Sequence, residues 1–331
     1  MCFCSLSPQI PIYSRGSVIR ESSVNFQFEE LWWPTQDGVD INMLRCKSKS
    51  TSLHQKQPPI LFIHGSFHSA WCYQEHFMPY FSSCGYDCFA MSLRGTKASA
   101  LSKEIKSVRI EEHVGDVSFV VEQICRDSSQ RPIIVAHSFG GLVLMKILER
   151  PEMRDAISAA VFLCSIPPSG NGAMTKRFLV KSPLLSLKII WGFVLRGVTT
   201  NADLCRELFF DSRLDAELLA QYMAHFKEDS SVVVDFAALS SALPSKTSMR
   251  ADGSAAWLPP IDGESVLCLV LDTYALLPPD SQYYYFCSSC VYTYVSFYFC
   301  YTVVTIHHWY LHLDIRLKSY SMSINSKLRA H

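Results

Sequence analysis

The amino-acid sequence predicts an α/β fold, in which a mostly parallel central sheet is flanked by helices. Segments with the composition of strands alternate with helical patterns from Val24 onward. Some of these strands, such as 59–64, are almost wholly apolar, as is typical of strands buried on both faces of a sheet. At 131–149 an apolar run passes through a turn of small residues directly into helix formers. Alternation at this spacing is typical of parallel strands that are connected by helices.

Residues 1–23 are interpreted as a disordered or targeting segment. Residues 1–20 hold no Asp or Glu and carry several serines with Arg15 and Arg20, as organelle transit segments do. No long apolar run precedes Pro8 and Pro11, so a secretory signal is not predicted. The 13 cysteines are irregularly spaced, which favours a reducing compartment over a disulfide framework. We therefore expect an intracellular protein, located in the chloroplast or the cytoplasm.

The next part of the chain is predicted to form the sheet and its first helices. Two strands flank the turn Gln36-Asp37-Gly38 and should pair antiparallel. A polar connector then leads to the buried strand that ends at His64 and to a polar loop that contains Arg94. The predicted elements in order are strands 26–33, 39–46 and 59–64, helix 70–82, strand 86–92 and helix 111–126.

The strand–turn–helix at 131–149 carries the pattern of a nucleophile elbow. The usual sequence is G-x-S-x-G, and here it is Ala136-His137-Ser138-Phe139-Gly140. Only small neighbours permit the sharp turn that presents such a serine at the end of its strand. Alanine in place of the first glycine is a mild departure, because a methyl group still fits beneath the turn. Ser138 is therefore the candidate catalytic nucleophile.

Two backbone N–H groups should face Ser138 and stabilise an oxyanion. In acyl transfer, one donor follows the nucleophile, and the other lies in a loop after an earlier strand. Phe139 supplies the first N–H group, and Ser66, after the His64-Gly65 pair, supplies the second. We expect the side chain of His64 to fix this loop, whereas His68 and His137 are interpreted as packing or rim residues.

These motifs resemble the α/β-hydrolase superfamily, and more narrowly its plant lipase- or esterase-like members. The resemblance rests on ILFIHGSFHSAWCYQEHFMPYFSSCGYDCFAMSLRG, with its HG-x-x-x-x-x-W loop, and on IIVAHSFGG, and it extends over about residues 26–250. It implies an eight-stranded, mostly parallel sheet, a Ser–His–acid triad, and a helical lid after the sixth strand. That strand is predicted at 157–166, so 24–170 is interpreted as the core and 171–246 as the lid. No acid follows the strand, so the alternative acid location that some members use is empty.

The predicted lid suggests a hydrophobic substrate. It contains the apolar segment 178–194 and helical patterns at 202–210 and 215–226, followed by a charged turn, Lys227-Glu228-Asp229. Its large apolar residues either line a pocket for an acyl group or pack the lid on the core. The residues in question are Leu184, Trp191, Phe193 and Leu195.

Residues 247–331 depart from the resemblance. No lysine or arginine lies between Arg250 and Arg316, and the segment is crowded with tyrosine, phenylalanine and cysteine. The order Ser, Asp, His can be assembled from Ser138, Asp272 and His307, with His308 as the neighbouring choice, but neither family motif is recognisable. We interpret this part as an aberrant C-terminus, such as translated intron or an alternative splice product. It replaces the ending that should carry the last two strands.

Two other interpretations of the C-terminal part were weighed. The stretch 281–313 has no formally charged side chain and is long enough for a membrane anchor, although its many polar residues disfavour one. Cys287, Cys290 and Cys300 with the histidines that follow have zinc-like composition, but their spacing fits no site, so no metal is predicted.

Charge and chemistry leave three hypotheses for the function. The formal net charge is zero, which gives no basic footprint for nucleic acid. The first hypothesis is a serine hydrolase that cleaves an ester or thioester of a small hydrophobic substrate and needs no cofactor. The alternative is a catalytically impaired form that lacks the acid and the histidine and only binds a hydrophobic ligand. The third is a membrane-tethered or unstable isoform without its own activity. A serine at 138 disfavours dehalogenase or epoxide hydrolase chemistry, and the oligomeric state is not predicted.

Overall fold

A computed structural model of the chain describes residues 26–48, 57–210, 212 and 214–244, and four short strands at 13–14, 266–269, 271–272 and 295–296. Most of the strands belong to one sheet, and two pairs of short strands lie apart from it. The strands are β1 (Tyr13–Ser14), β2 (Phe28–Pro34), β3 (Asp40–Cys46), β4 (Ile60–Ile63), β5 (Cys88–Met91), β6 (Ser107–Val108), β7 (Ile133–His137), β8 (Ala159–Leu163), β9 (Val233–Val234), β10 (Val266–Leu269), β11 (Leu271–Asp272) and β12 (Val295–Ser296).

The main sheet has eight strands in the order β1-β2-β3-β5-β4-β7-β8-β10. Strands β5, β4, β7, β8 and β10 pair in parallel, while β2 and β3 form the antiparallel pair that the sequence predicts. The predicted mostly parallel sheet is therefore confirmed. Because parallel strands end at the same edge, the loops after Ile63, His137 and Leu163 are brought together there.

Helices connect the strands and cover both faces of the sheet. The helices are α1 (Phe77–Ser83), α2 (Ile110–Ser128), α3 (Phe139–Leu148), α4 (Pro151–Asp155), α5 (Gly172–Lys181), α6 (Pro183–Ile189), α7 (Ala202–Phe209), α8 (Ala216–Asp229) and α9 (Phe236–Ala242). Short helical turns also occur at Ala70–Tyr73, Ile190–Val194 and Gly197–Thr199.

The helix that the sequence predicts at 70–82 is divided in two. A short turn spans Ala70–Tyr73, and α1 begins only at Phe77. Pro79 has no N–H group, so in an uninterrupted helix the carbonyl of Glu75 would lack its donor. Starting the helix at Phe77 places Pro79 in the first turn, where no intrahelical donor is needed. The break also lets the Tyr73 hydroxyl donate to the Ile63 carbonyl oxygen at 2.9 Å.

Two apolar cores enclose the main sheet. On one face, α2 presents apolar residues at helical spacing, among them Val114, Val117 and Val121, to the strands and to α3. On the other face, α1 packs Met78 and Phe81 against the same strands. Each fully buried aliphatic or aromatic side chain contributes about 1.5–3 kcal/mol. The two cores hold β4 and β7, and therefore the loops at their ends, in fixed positions.

A buried ion pair anchors the loop after β5. The guanidinium of Arg94 donates to both carboxylate oxygens of Asp116 on α2, with N···O distances of 2.5 and 2.6 Å. It also donates to Asp37 at 2.8 Å and to Glu112 at 3.3 Å. The side chains of Arg94 and Asp116 are 6% and 1% exposed, so this pair is removed from water. The sequence indicated a loop around Arg94 but not its partners.

Helices α5 to α8, residues 172–229, stand above the edge where the parallel strands end, and we call them the helical cap. They enclose a small aromatic core that includes Tyr222 and Phe226. Helix α8 extends to Asp229, so the charged turn that the sequence predicted at 227–229 is in fact its last helical turn. Among the described helices, none combines the length and apolarity that crossing a membrane requires.

Several predictions for the C-terminal part concern residues that the structure does not describe. Strand β10 adds a parallel strand beside β8, and Asp272 is the second residue of β11, which pairs with β12. His307, His308 and the cysteine and histidine group lie outside the described residues. So does the stretch 281–313, except for Val295–Ser296. The triad, anchor and metal expectations for this part stay predictions.

Candidate active site

Ser138 has the backbone conformation that a nucleophile elbow requires. It joins β7 to α3 with φ 52° and ψ −116°, a region that non-glycine residues rarely occupy. Such a conformation costs about 1–3 kcal/mol and persists only where the surroundings impose it. Here the Ser138 N–H donates to the Leu163 carbonyl at 3.0 Å, and its carbonyl accepts from Ile166 at 3.2 Å. The loop after β8 thus braces the turn from both sides.

Two glycines allow the backbone to close around Ser138. A Cβ at Gly65 would lie 2.8 Å from the Cβ of Ser138 and 3.1 Å from Nδ1 of His137. At Gly140 it would lie 2.6 Å from the backbone oxygen of His64. The distances of 2.8 Å at Gly65 and 2.6 Å at Gly140 are shorter than a methyl group tolerates. Glycine at these positions therefore brings the loop after β4 directly against the elbow.

The two predicted oxyanion donors lie in the segments that these glycines bring together. Ser66 follows Gly65 in an exposed turn, and Phe139 is the first residue of α3. The first N–H groups of a helix have no partner within that helix. Within the described part of the chain, the amide groups of Ser66 and Phe139 donate to no other group. Both amides are thus available to a ligand atom beside Ser138.

Substitution of Gly65 by alanine is expected to lower the rate of any reaction at Ser138. The new methyl group would push the Ser66 amide away from the elbow, and loss of one oxyanion donor typically costs about 100- to 1,000-fold. Because the loop can yield by some tenths of an ångström, we expect a fall in kcat/KM of about 10- to 100-fold. Steady-state hydrolysis of a chromogenic ester measures it.

Gly115→Ala is the matched control for this substitution. A Cβ at Gly115 in α2 would have no heavy atom within 4 Å. Alanine should stabilise this helix by about 1 kcal/mol and leave kcat/KM unchanged. Equal activity of Gly65→Ala and wild type would contradict the placement of Ser66 as an oxyanion donor.

His64 fixes the loop and is not available as a base. Its Nε2 accepts the Leu93 N–H at 2.9 Å, so the proton is on Nδ1, which donates to the Gly65 carbonyl at 2.7 Å. Burial lowers the pKa of His64 to about 4, so the ring is neutral at pH 7. The structural role that the sequence predicts for His64 is confirmed by these bonds.

His68 belongs to an aromatic cluster between the core and the helical cap. Its ring contacts Phe226 edge to face at 4.8 Å and stacks near Trp71 at 5.5 Å. Desolvation lowers the pKa of His68 and that of His137, the latter to about 3. Their rings are 6.4 Å apart, and neither donates to or accepts from the Ser138 hydroxyl. The packing and rim roles are consistent with these contacts.

The loop that carries Ser66 is also tied to the helical cap. Phe67 has φ 68° and buries its ring against Phe193 and Phe209, with centroid distances of 5.8 and 5.9 Å. Trp71 donates its indole N–H to the carboxylate of Asp229 at 2.8 Å, and the Lys97 amide donates to the other oxygen at 3.0 Å. Asp229 is 7% exposed, so the cap is fixed to two core loops by a buried carboxylate.

Most of the apolar cap residues expected to line a substrate pocket point away from the site. Leu184 and Leu195 are 77% and 69% exposed, so the pocket interpretation and the packing interpretation are both wrong for them. Trp191 is 45% exposed and packs its ring against Gly197 within the cap. Only Phe193 turns inward, where it stacks on Phe209 at 5.1 Å. The physical reason is that small residues, Ser186 and Gly192, occupy the inward side of this segment.

A second buried histidine makes the stability depend on pH. His113 on α2 is 4% exposed and packs edge-on against Phe139, and burial lowers its pKa from 6.5 to about 3. Between pH 6.5 and 3, His113 is therefore protonated in the unfolded chain but neutral in the folded chain. Stability due to this group is lost as the pH falls from 6.5 towards 3. We expect His113→Phe to reduce the slope of unfolding free energy against pH by about 1.4 kcal/mol per unit there.

Urea unfolding of wild type and His113→Phe at several pH values measures this slope. Above pH 7 the two slopes should coincide, because the imidazole is then neutral in both states. Parallel slopes below pH 6 would show that His113 is protonated in the folded protein.

The structure brings some of the predicted site residues together and leaves others unplaced. Ser138, Ser66 and Phe139 meet at one edge of the sheet. Within the described residues, no side chain forms a hydrogen bond with the Ser138 hydroxyl, and no group of His, Cys, Asp or Glu is placed to hold a metal ion. The side chains of Asp272 and His307 are outside the described part. Sequence reasoning placed Asp229 in a charged turn but missed its role as the buried carboxylate that joins the cap to the core loops. Its only signal in the sequence was its position three residues after the apolar Phe226.

Comparison with known proteins gives a family and partial relatives. The sequence pattern of the Alpha/beta hydrolase family matches residues 60–286. Epoxide hydrolase 1 of Caenorhabditis elegans is 34% identical over 134 residues, which are 38% of this chain and 30% of that protein. A carbendazim hydrolyzing esterase of Nocardioides sp. strain SG-4G is 27% identical over 136 residues, 40% of this chain and 52% of the relative. The chain thus spans about half or less of these relatives.

Solved structures extend the similarity of the fold to most of the chain. The epoxide hydrolase of Aspergillus niger superimposes with a TM-score of 0.59 at 12% identity, over 88% of this chain and 79% of that one. At this identity the similarity concerns the fold alone.

Proposed function

The chain belongs to the Alpha/beta hydrolase family, and from that premise we propose that it hydrolyses an ester or thioester of a small hydrophobic substrate with Ser138 as the nucleophile. The observation that carries this proposal is the conformation of Ser138. Its positive φ, beside two available amide groups, is an arrangement that costs stability. Strain that the surroundings maintain at one residue is typical of functional sites.

The proposed chemistry follows from the positions of the three groups. The hydroxyl oxygen of Ser138 would attack the substrate carbonyl carbon, and the carbonyl oxygen would become an oxyanion. The N–H groups of Ser66 and Phe139 would donate to that oxyanion, which stabilises the tetrahedral intermediate. The acyl group would remain on Ser138 until water releases it. An alcohol is a weak nucleophile by itself, so a histidine must accept the proton of Ser138.

The histidine that accepts the proton of Ser138, and the acid that orients this histidine, are also proposals. His64 is excluded because both of its ring nitrogens are already engaged. The candidates carried from the sequence are Asp272 and His307, in the order of the family triad. The variants His307→Gln and His308→Gln test this assignment. Only substitution of the true base should lower kcat by several orders of magnitude, as in other triads.

A serine mechanism is favoured over the chemistry named for some relatives. Both an epoxide hydrolase and an esterase are among the similar proteins. Epoxide or haloalkane opening in this fold needs a carboxylate nucleophile, whereas position 138 holds a hydroxyl group. The esterase relative therefore fits the residue at the elbow better, and we propose ester hydrolysis for that reason.

Turnover of a p-nitrophenyl ester series by the purified full chain tests the proposed function. We expect release of p-nitrophenol that is saturable in substrate and at least about a thousandfold slower in Ser138→Ala. A folded sample that binds the esters without turnover would contradict the proposal. It would support the alternative, an impaired member of the family that only binds a hydrophobic ligand.

A further inference from the structure

The helical cap exposes a row of large apolar side chains. Of the ten large apolar residues that the described part of the chain exposes, seven lie between positions 179 and 195. Exposed apolar residues that are scattered singly need no explanation, but a contiguous patch marks an interaction surface. These residues are Leu179, Val180, Leu184, Leu187, Trp191, Val194 and Leu195.

The spacing of four of these residues places them on one side of α6 and the helical turn that follows it. Leu184, Leu187, Trp191 and Val194 follow one another at intervals of three or four along α6 and the turn Ile190–Val194. Residues at such intervals share a face of a helix. The inward side holds Ser186 and Gly192 together with Ile189 and Phe193, which pack on the cap core. The segment is therefore apolar on its solvent side as well, where a surface helix is usually polar.

Basic residues flank these exposed apolar side chains. Lys176, Lys181, Lys188 and Arg196 lie in or beside these helices, while no Asp or Glu occurs from residue 156 to residue 202. Lys176 and Lys181 are exposed, and Lys188 pairs with Glu207 of α7. The whole chain has no net charge, so this concentration of positive charge is local. A second copy of the same face would bring these cations together, which disfavours self-association.

We propose that the face formed by residues 179–195, which we call the apolar face, docks the helical cap onto an anionic lipid surface. An apolar helical face flanked by Lys and Arg, with a tryptophan, matches elements that lie in the plane of a membrane interface. Leu184 and Leu187 would enter the acyl region. Trp191, half exposed with its ring against Gly197, would lie at headgroup level. Lys176 would contact the lipid phosphates, and Lys181 would add to the positive charge beside them.

This surface interaction is distinct from a membrane anchor and from the serine chemistry. It requires no helix long enough to span a bilayer, and it uses no residue of the proposed site. The sequence alone assigned Leu184, Trp191 and Leu195 to a substrate pocket or to the core, and its one membrane interpretation was a disfavoured anchor at 281–313. Their exposure in the structure is what changes the assignment.

Flotation of the full chain with lipid vesicles tests the proposal. The vesicles are phosphatidylcholine, with or without phosphatidylglycerol. We expect wild type to float with the anionic vesicles, and Leu184→Ser/Leu187→Ser to partition about tenfold less. Lys176→Glu/Lys181→Glu should also bind less, and high salt should weaken wild type but change this variant little, because its charge attraction is already removed.

Phe236→Ser is the matched control, because Phe236 is 69% exposed and lies outside the apolar face. This control should float like wild type, and all variants should keep the urea midpoint of wild type, since every changed side chain is on the surface. Equal partition of wild type and the double serine variant would overturn the proposal. So would a wild type that stays with the soluble fraction, whether it is monomeric or forms dimers through this face.

Discussion

Replacement of Ser138 by alanine is expected to lower kcat/KM for ester hydrolysis by at least about a thousandfold. The substitution removes the attacking oxygen but leaves the two backbone donors and the loop after β8 in place. Residual turnover would then come only from binding and from the oxyanion donors. The hydroxyl makes no hydrogen bond within the described residues, so its loss should cost little stability.

Ser138→Gly separates the strain from the chemistry at the same position. Glycine adopts positive φ without the steric cost that serine and alanine share. We expect both variants to be inactive, and the glycine variant to be more stable than the alanine variant by about 1 kcal/mol or more. Urea unfolding compares the two. If Ser138→Ala retained wild-type turnover, the elbow would not be the site of the reaction.

Replacement of Arg94 by methionine is expected to destabilise the fold by about 3–5 kcal/mol. The methionine fills much of the volume, but the carboxylate of Asp116 is then buried without its cation. Burial raises the pKa of Asp116, and the lost guanidinium no longer opposes that rise. The carboxyl group should therefore become protonated in the folded variant as the pH is lowered. The difference in unfolding free energy between wild type and variant should shrink at acidic pH.

A double substitution tests whether the unpaired charge is the cause. Arg94→Met/Asp116→Leu leaves no isolated charge, and a buried pair replaced by apolar residues is often neutral in stability. We expect the double variant to recover most of the loss, as measured by urea unfolding midpoints. A single Arg94→Met variant within about 1 kcal/mol of wild type would mean that water reaches Asp116 in the folded protein.

The sequence predicted the elements whose pattern is local. The antiparallel pair of β2 and β3, the apolar strand β4 and the turn at Ser138 are confirmed, because strand composition and small residues at a tight turn are visible in a few neighbouring positions. The parallel pairing of most strands followed from helices that alternate with strands, whereas the order of the strands in the sheet was not predicted. Strain at Ser138 was likewise readable, since its neighbours Gly140 and Gly141 leave room for the turn.

Other features depend on residues that are distant in sequence. Arg94 lies 22 positions from Asp116, and Trp71 lies 158 positions from Asp229, so no local pattern joins them. To predict the break before α1, one would have to know where the helix begins relative to Pro79. The direction of Leu184 and Trp191 could not be read from apolarity alone. Apolar residues lie on both sides of this segment, and the close packing of Gly192 and Ser186 decides which side faces inward.

Covalent labelling of Ser138 tests the central claim most directly. The purified full chain is treated with a fluorophosphonate, and the modified peptide is identified by mass spectrometry, with Ser138→Ala and the denatured wild type as controls. An activated serine should carry the phosphonate on the peptide that contains Ser138, and both controls should remain unlabelled. A folded wild type that stays unlabelled, or that is labelled equally in Ser138→Ala, would contradict the assignment of Ser138 as the nucleophile.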